Sequence, residues 1–119
     1  MADGPDIAHI PFPAGGGAMG ALVRALAWSL TPLGAIDGWS PSLRAVVNLV
    51  LDSPLAMTVL WGPDLVQVYN DAYAVLCGRR HPRALGQATR DCWPEVWEFN
   101  APIYEAVLRG ETENLLTSF

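Results

Sequence analysis

Apolar positions recur along this chain with two different periods. From Ala18 to Leu30, Met19, Leu22, Val23, Leu26 and Leu30 fall at offsets 0, +3, +4, +7 and +11, which is one face of a helix. Thr31-Pro32 ends that pattern, because a residue before proline is pushed toward extended backbone. Leu33 to Trp39, punctuated by Gly34 and Gly38, reads as an ordered loop in which Trp39 is packed. A second helix opens at Ser40-Pro41, with Ser40 as N-cap and Pro41 at the first helical position. Leu43, Val46, Val47 and Val50 form its buried face, and Asp52-Ser53-Pro54 ends it.

The period then changes. Ala56 to Trp61 and Leu65 to Tyr69 are short apolar runs three residues apart, joined by Gly62-Pro63-Asp64. That is hairpin spacing with turn chemistry between the strands. In the first run Met57, Val59 and Trp61 share one face and Thr58 and Leu60 the other. In the second, Val66, Val68 and Asn70 oppose Leu65, Gln67 and Tyr69. Asn70 stands where an N-cap should stand, before a helix beginning Asp71-Ala72-Tyr73-Ala74-Val75-Leu76. Its side-chain oxygen suits a free backbone N–H, and Asp71 suits the positive end of the helix dipole. Arg79 to Arg90 reads as a polar connection broken by Pro82 and Gly86. Asp91 is expected to cap a short helix carrying Trp93, Val96 and Trp97. Asn100 is expected to cap a further helix, Ala101 to Arg109, stopped by Gly110, with Glu111 to Phe119 beginning an extended segment.

Composition narrows the classes. A length of 119 residues with 51% hydrophobic content is one folded domain. The net charge of −5, with every basic side chain an arginine, argues against a binder of nucleic-acid backbone. Arg79, Arg80, His81, Arg83 and Arg90 form a local basic cluster, read as a solvated loop. Cys77 and Cys92 are not in metal spacing and read as reduced thiols of a cytoplasmic protein. No apolar run is long enough to span a membrane, and no signal peptide is apparent at the N-terminus.

The run Trp61-Gly62-Pro63-x-Leu65-x-x-x-Tyr69-Asn70-Asp71-Ala72-Tyr73-x-x-x-x-Gly78, then His81-Pro82-x-Ala84-Leu85-Gly86, then Trp93-Pro94-Glu95-x-Trp97, resembles the N-terminal PAS sensor domains of bacterial histidine kinases and hybrid sensor kinases. Upstream, Thr31 to Leu43 resembles the segment that precedes the PAS core in that family. Together these cover roughly residues 18 to 113. The resemblance implies an α+β, PAS-like fold: an antiparallel sheet flanked by helices, with an N-terminal helical extension. Residues 1–17 would be a flexible tail, 18–55 the extension and 56–119 a PAS core. A full PAS sheet has five strands, and the last two are not apparent, so a truncated core is expected, with an unpaired edge on the first strand. Residues 113–119 would dock on that edge, pair across a dimer, or not be a strand.

No phosphate loop or nucleophile elbow occurs; the glycines at 15–17 lack the following Lys and Ser/Thr. Ser40 and Ser42 read as caps, Asp71 as an exposed first-turn carboxylate, and Glu95 and Glu98 as solvated. The resemblance to flavin- and haem-binding PAS domains fails at the ligands: Cys92 has the wrong neighbours, and Ala101 to Arg109 contains no histidine. His81 reads as a surface or turn-bonding imidazole. No cofactor is therefore expected. A small-molecule cavity between sheet and helices would be lined by Met57, Val59, Val68, Tyr73, Cys77, Trp93, Trp97, Ile103 and Tyr104, residues that equally describe a core. The stripe Met19, Leu22, Val23, Leu26 and Leu30 would bury on the domain's own core or on a second copy, giving a homodimer. The resemblance implies signal transduction in a two-component system, with no catalysis by this segment and an output domain downstream. The alternative is a dimerisation or protein-interaction module.

Overall fold

The computed structural model describes residues 12, 13 and 15–109. Within them the chain is an α+β fold of five α-helices and one two-stranded antiparallel sheet. The order is α1 (Gly17–Ala25), two 3-10 turns (Trp28–Leu30 and Ile36–Gly38), α2 (Pro41–Asp52), β1 (Thr58–Trp61), β2 (Val66–Tyr69), α3 (Asp71–Cys77), a 3-10 turn (Gly78–Arg80), α4 (Thr89–Cys92) and α5 (Pro94–Leu108).

The hairpin forms as its turn chemistry dictates. Thr58 pairs with Tyr69, Val59 with Val68, Leu60 with Gln67 and Trp61 with Val66. Gly62 takes a positive φ of 77°, and Leu65 follows at 51°, a left-handed conformation that is costly for a residue with a side chain. The Leu65 carbonyl accepts both the Thr89 N–H (3.0 Å) and the Thr89 hydroxyl (2.7 Å), which hold that turn in place.

One sheet face carries Val59, Trp61, Val66 and Val68, and α2 lies against it. Leu43, Val47, Val50 and Leu51 of α2 are buried there with Trp28 and Trp39, whose rings meet edge-on at 4.8 Å. The Ser40 hydroxyl accepts the Leu43 N–H at 3.1 Å, the expected cap. The other face carries Thr58, Leu60, Gln67 and Tyr69, and the segment after α3 returns across it.

The structure corrects several expectations. The first helix stops at Ala25, and Leu26 is extended. Trp28 buries its ring and donates its indole N–H to the Val23 carbonyl at 2.7 Å, drawing the chain back over the helix end. Leu30 is consequently 87% exposed, while Met19 and Val23 are buried in the chain's own core and Leu22 and Leu26 pack partly against it. The stripe is therefore not free to form a dimer face. Phe12 and Pro13, inside the expected tail, are packed: the Phe12 ring meets Trp39 at 5.9 Å, and Arg24 donates to the Pro13 carbonyl. Asp91 does not cap a helix; it lies inside α4, whose N-cap is Ala88. Asn100 does not begin a helix either, because α5 runs unbroken from Pro94 through Pro102. Pro94 at the first position of α5 supplies the start that Asp91 was expected to give. Residues 113–119 lie outside the described residues. Among the described residues the sheet has two strands, and no helix is long and apolar enough to cross a membrane.

Candidate functional site

Asn70 joins three elements. Its side-chain oxygen accepts the Tyr73 N–H (3.0 Å), capping α3, and the Met57 N–H (3.2 Å), at the entry to β1. Its amide N–H2 is shared among the carbonyls of Val50 (3.0 Å), Ser53 (3.3 Å) and Leu55 (2.6 Å), at and beyond the end of α2. The side chain is 1% exposed. A buried amide bonded this fully fixes α2, β1 and α3 at one point, since leaving any of these groups unpaired in the interior is costly.

A second polar group sits on the opposite sheet face. Gln67 donates its amide N–H to the Ala84 carbonyl (3.0 Å) and accepts the Trp93 indole N–H (2.9 Å). The Tyr69 hydroxyl is 2.8 Å from His81 Nδ1, and their rings meet edge-on at 5.6 Å. Tyr73 of α3 packs 5.3 Å from the Tyr69 ring. Arg80 lies over the Trp93 ring at 4.2 Å and pairs with Glu95 at 2.5 Å. The result is a wall of Gln67, Tyr69, Tyr73, Cys77, His81 and Trp93, tying β2 to α3 and to the start of α5.

Burial dominates the electrostatics of this wall. It pushes the Tyr73 phenol up to about 12 and the Cys77 thiol up to about 11, with the nearby Cys92 thiol adding to both. Tyr69 moves upward for the same first cause. At neutral pH these groups are neutral hydrogen-bonding and packing partners, unsuited to nucleophilic attack. Glu95 is held below its ordinary range, first by its own backbone N–H at the start of α5 and then by Arg80. Among the described residues no group of three His, Cys, Asp or Glu side chains is placed to hold a metal ion, and both cysteines are free and buried.

No family model, curated protein or solved structure matches the chain. The site therefore rests on its own geometry.

That geometry separates the nine cavity candidates. Val59 and Val68 are buried on the α2 side of the sheet, and Met57 packs against the core beside them. Tyr73, Cys77 and Trp93 belong to the wall on the other side. Trp97 and Tyr104 stack along α5 with centroids 6.0 Å apart, and Ile103 is exposed. Met57, Val59 and Val68 thus stand on one side of the sheet and Tyr73, Cys77 and Trp93 on the other, with Tyr104 of α5 near enough to Tyr73 to help raise its phenol. Gln67, His81 and Arg80 were not among the expected site residues, yet they hold the wall together. Gln67 was marked only by a polar side chain in an apolar strand. Asp71 was also more than an exposed carboxylate: its Oδ1 accepts the Met19 N–H at 2.7 Å, capping α1 across 52 residues of sequence. Gly16 precedes α1 and has no side chain to do this.

Proposed function

We propose that the chain is a sensory, signal-transducing PAS-like module of a cytoplasmic bacterial two-component kinase or related regulator. In this reading a ligand or partner that prefers one arrangement of the wall shifts the packing of the domain, and dimerisation carries the change to an output domain. The observation that carries it is the Asn70 joint. Trp93 and Gln67 connect the start of α5 to β2, and Asn70 connects the end of β2 to the end of α2 and the start of α3. A displacement at α5 thus reaches the end of α2 and the start of α3 through the Trp93–Gln67 bond, strand β2 and the Asn70 bonds. Such a route transmits a signal only if the bound species has different affinities for two arrangements. The hairpin and the Asn70-capped helix support this reading. All buried side-chain polar atoms among the described residues have partners, which favours a bias through packing.

The test is autophosphorylation of the parent gene product with ATP. Asn70→Ser and Trp93→Phe should each shift the rate while the domain remains folded by circular dichroism. Unchanged rates in both variants, or a gene without an output domain, would contradict the proposal. A pure dimerisation or interaction module is the second reading, favoured by the apolar residues Val96, Phe99, Ile103 and Val107 left exposed on α5.

A further inference from the structure

We infer that the Tyr69–His81 contact is an acid-released latch: a proton taken up at His81 Nδ1 breaks it and frees residues 81–88 from β2, which gives the proposed module a pH input. The contact has one proton to share. The Tyr69 hydroxyl lies 2.8 Å from Nδ1, the two rings meet edge-on, and Tyr69 is fully buried. Among the described residues Nδ1 is the one acceptor in reach of that hydroxyl. Burial pushes the Tyr69 phenol well above its ordinary range, so the phenol keeps its proton and donates it to Nδ1. The neutral ring then carries its own proton on Nε2.

A further proton on the ring removes that acceptor. Both facing atoms then bear hydrogen, and the Tyr69 hydroxyl is left with an unmatched proton in a site closed to water, which is costly. His81 is half-buried, so its ring can turn to solvent while Tyr69 stays in place. The groups around the pair do not offset this. On its own segment His81 stands among Arg79, Arg80 and Arg83. On α3, Tyr73 and Cys77 are kept neutral by burial. On α4, Cys92 is buried and free, and Arg90 is paired with Asp91. On α5, Glu95 is engaged by Arg80. Among the described residues no carboxylate pairs with His81.

The latch is the first tie of a strap laid across β2. After His81 the chain passes Gln67, whose side-chain amide donates to the Ala84 carbonyl at 3.0 Å. It then runs along the outer edge of β2, where the Gly86 N–H donates to the Gln67 carbonyl at 2.9 Å and the Gln67 N–H donates to the Gln87 carbonyl at 3.0 Å. Freeing His81 loosens these bonds from one end and disturbs the Gln67–Trp93 bond to the start of α5. As an input to the module the latch rests on the sensory reading above. As a pH response of the chain it does not, and the measurements below need no output domain.

The test compares the full chain at about pH 7.5 and about pH 5.5, on either side of the ordinary histidine value. At the higher pH the nitrogen NMR spectrum of the His81 ring should show Nδ1 without a proton and Nε2 with one. The latched fold holds the neutral ring while the unfolded chain takes up the proton freely. Its stability is therefore fully present above the ordinary value and is lost as pH falls, and the unfolding equilibrium constant in urea should rise by up to about ten-fold between the two conditions. Tyr69→Phe and His81→Gln should each lose that rise and keep only the share of the other titrating groups. In the wild type alone, the Gly86 amide should lose exchange protection at the lower pH relative to Val68, which pairs with Val59. A neutral ring protonated at Nδ1, an equal pH response in wild type and Tyr69→Phe, or Gly86 protection that follows Val68 would each overturn the latch. A latch seen together with autophosphorylation rates unchanged in Asn70→Ser and Trp93→Phe would support it and strike the sensory reading alone.

Discussion

β1 and β2 are both four residues long, and the more apolar of the two is the less buried. β1 reads Thr-Val-Leu-Trp and only Val59 is fully buried; β2 reads Val-Gln-Val-Tyr and every residue is buried, Gln67 included. The difference lies in the partners. β2 has β1 on one edge and residues 86–89 on the other, α2 on one face and the returning chain on the second. β1 has one ladder partner among the described residues. Burial here follows what the rest of the chain brings to a strand, and polarity is tolerated where each polar atom is matched.

The largest way to break that contrast is Asn70→Ala. It leaves two N–H groups and three carbonyls around a buried cavity, and should lower the free energy of unfolding by about 3 kcal/mol in a urea melt. Gln67→Ala should follow at about 2 kcal/mol, from the Trp93 indole N–H left without its acceptor and the lost bond to the Ala84 carbonyl, which keeps the Gln87 N–H. Its register partner sharpens the comparison: Leu60→Ala, on the half-exposed strand, should cost about 1 kcal/mol, well below the range for a fully buried leucine. Equal costs at Leu60 and Gln67 would remove the asymmetry. Asp71→Ala should also cost about 1 kcal/mol, by uncapping α1, and should raise amide exchange at the start of that helix.

The smallest effect is alkaline. Cys77 and Tyr73 have ordinary values of 9.0 and 10.0 and are raised in the fold to about 11 and about 12, by burial first. Both groups are neutral when folded, so their contribution is fully present below the ordinary values. It is lost as pH rises through the raised ones. The urea midpoint should therefore be flat near neutrality and fall above pH 9, and Tyr73→Phe should flatten part of that fall.

The local parts of the fold were legible in the sequence. Ser40 and Asn70 announce helices because their side chains bond within three residues, and Gly62-Pro63 announces a turn by backbone restriction alone. The α2 face and the Met19/Val23 stripe follow from period. What the sequence did not disclose are the bonds that span the chain. Asp91 and Asn100 have the chemistry of N-caps, but Pro94 sets the helix start and α5 passes through Asn100. Asp71 caps a helix 52 residues away, and nothing at residue 71 marks that. The third partner of β2, residues 86–89, carries no strand signal because it contributes only a few bonds. The wall was half legible: Tyr73, Cys77 and Trp93 were identified as apolar lining. Their polar ties through Gln67, His81 and Arg80 appear only when the elements are assembled.

Among the described residues the hairpin has one edge held and one edge without a backbone partner. Native-state amide hydrogen exchange at Leu60 and Gln67, register partners whose N–H groups both point away from each other, tests it directly. The account predicts near-global protection at Gln67 and faster exchange at Leu60. Strong protection of Leu60, or free exchange at Gln67, would contradict it.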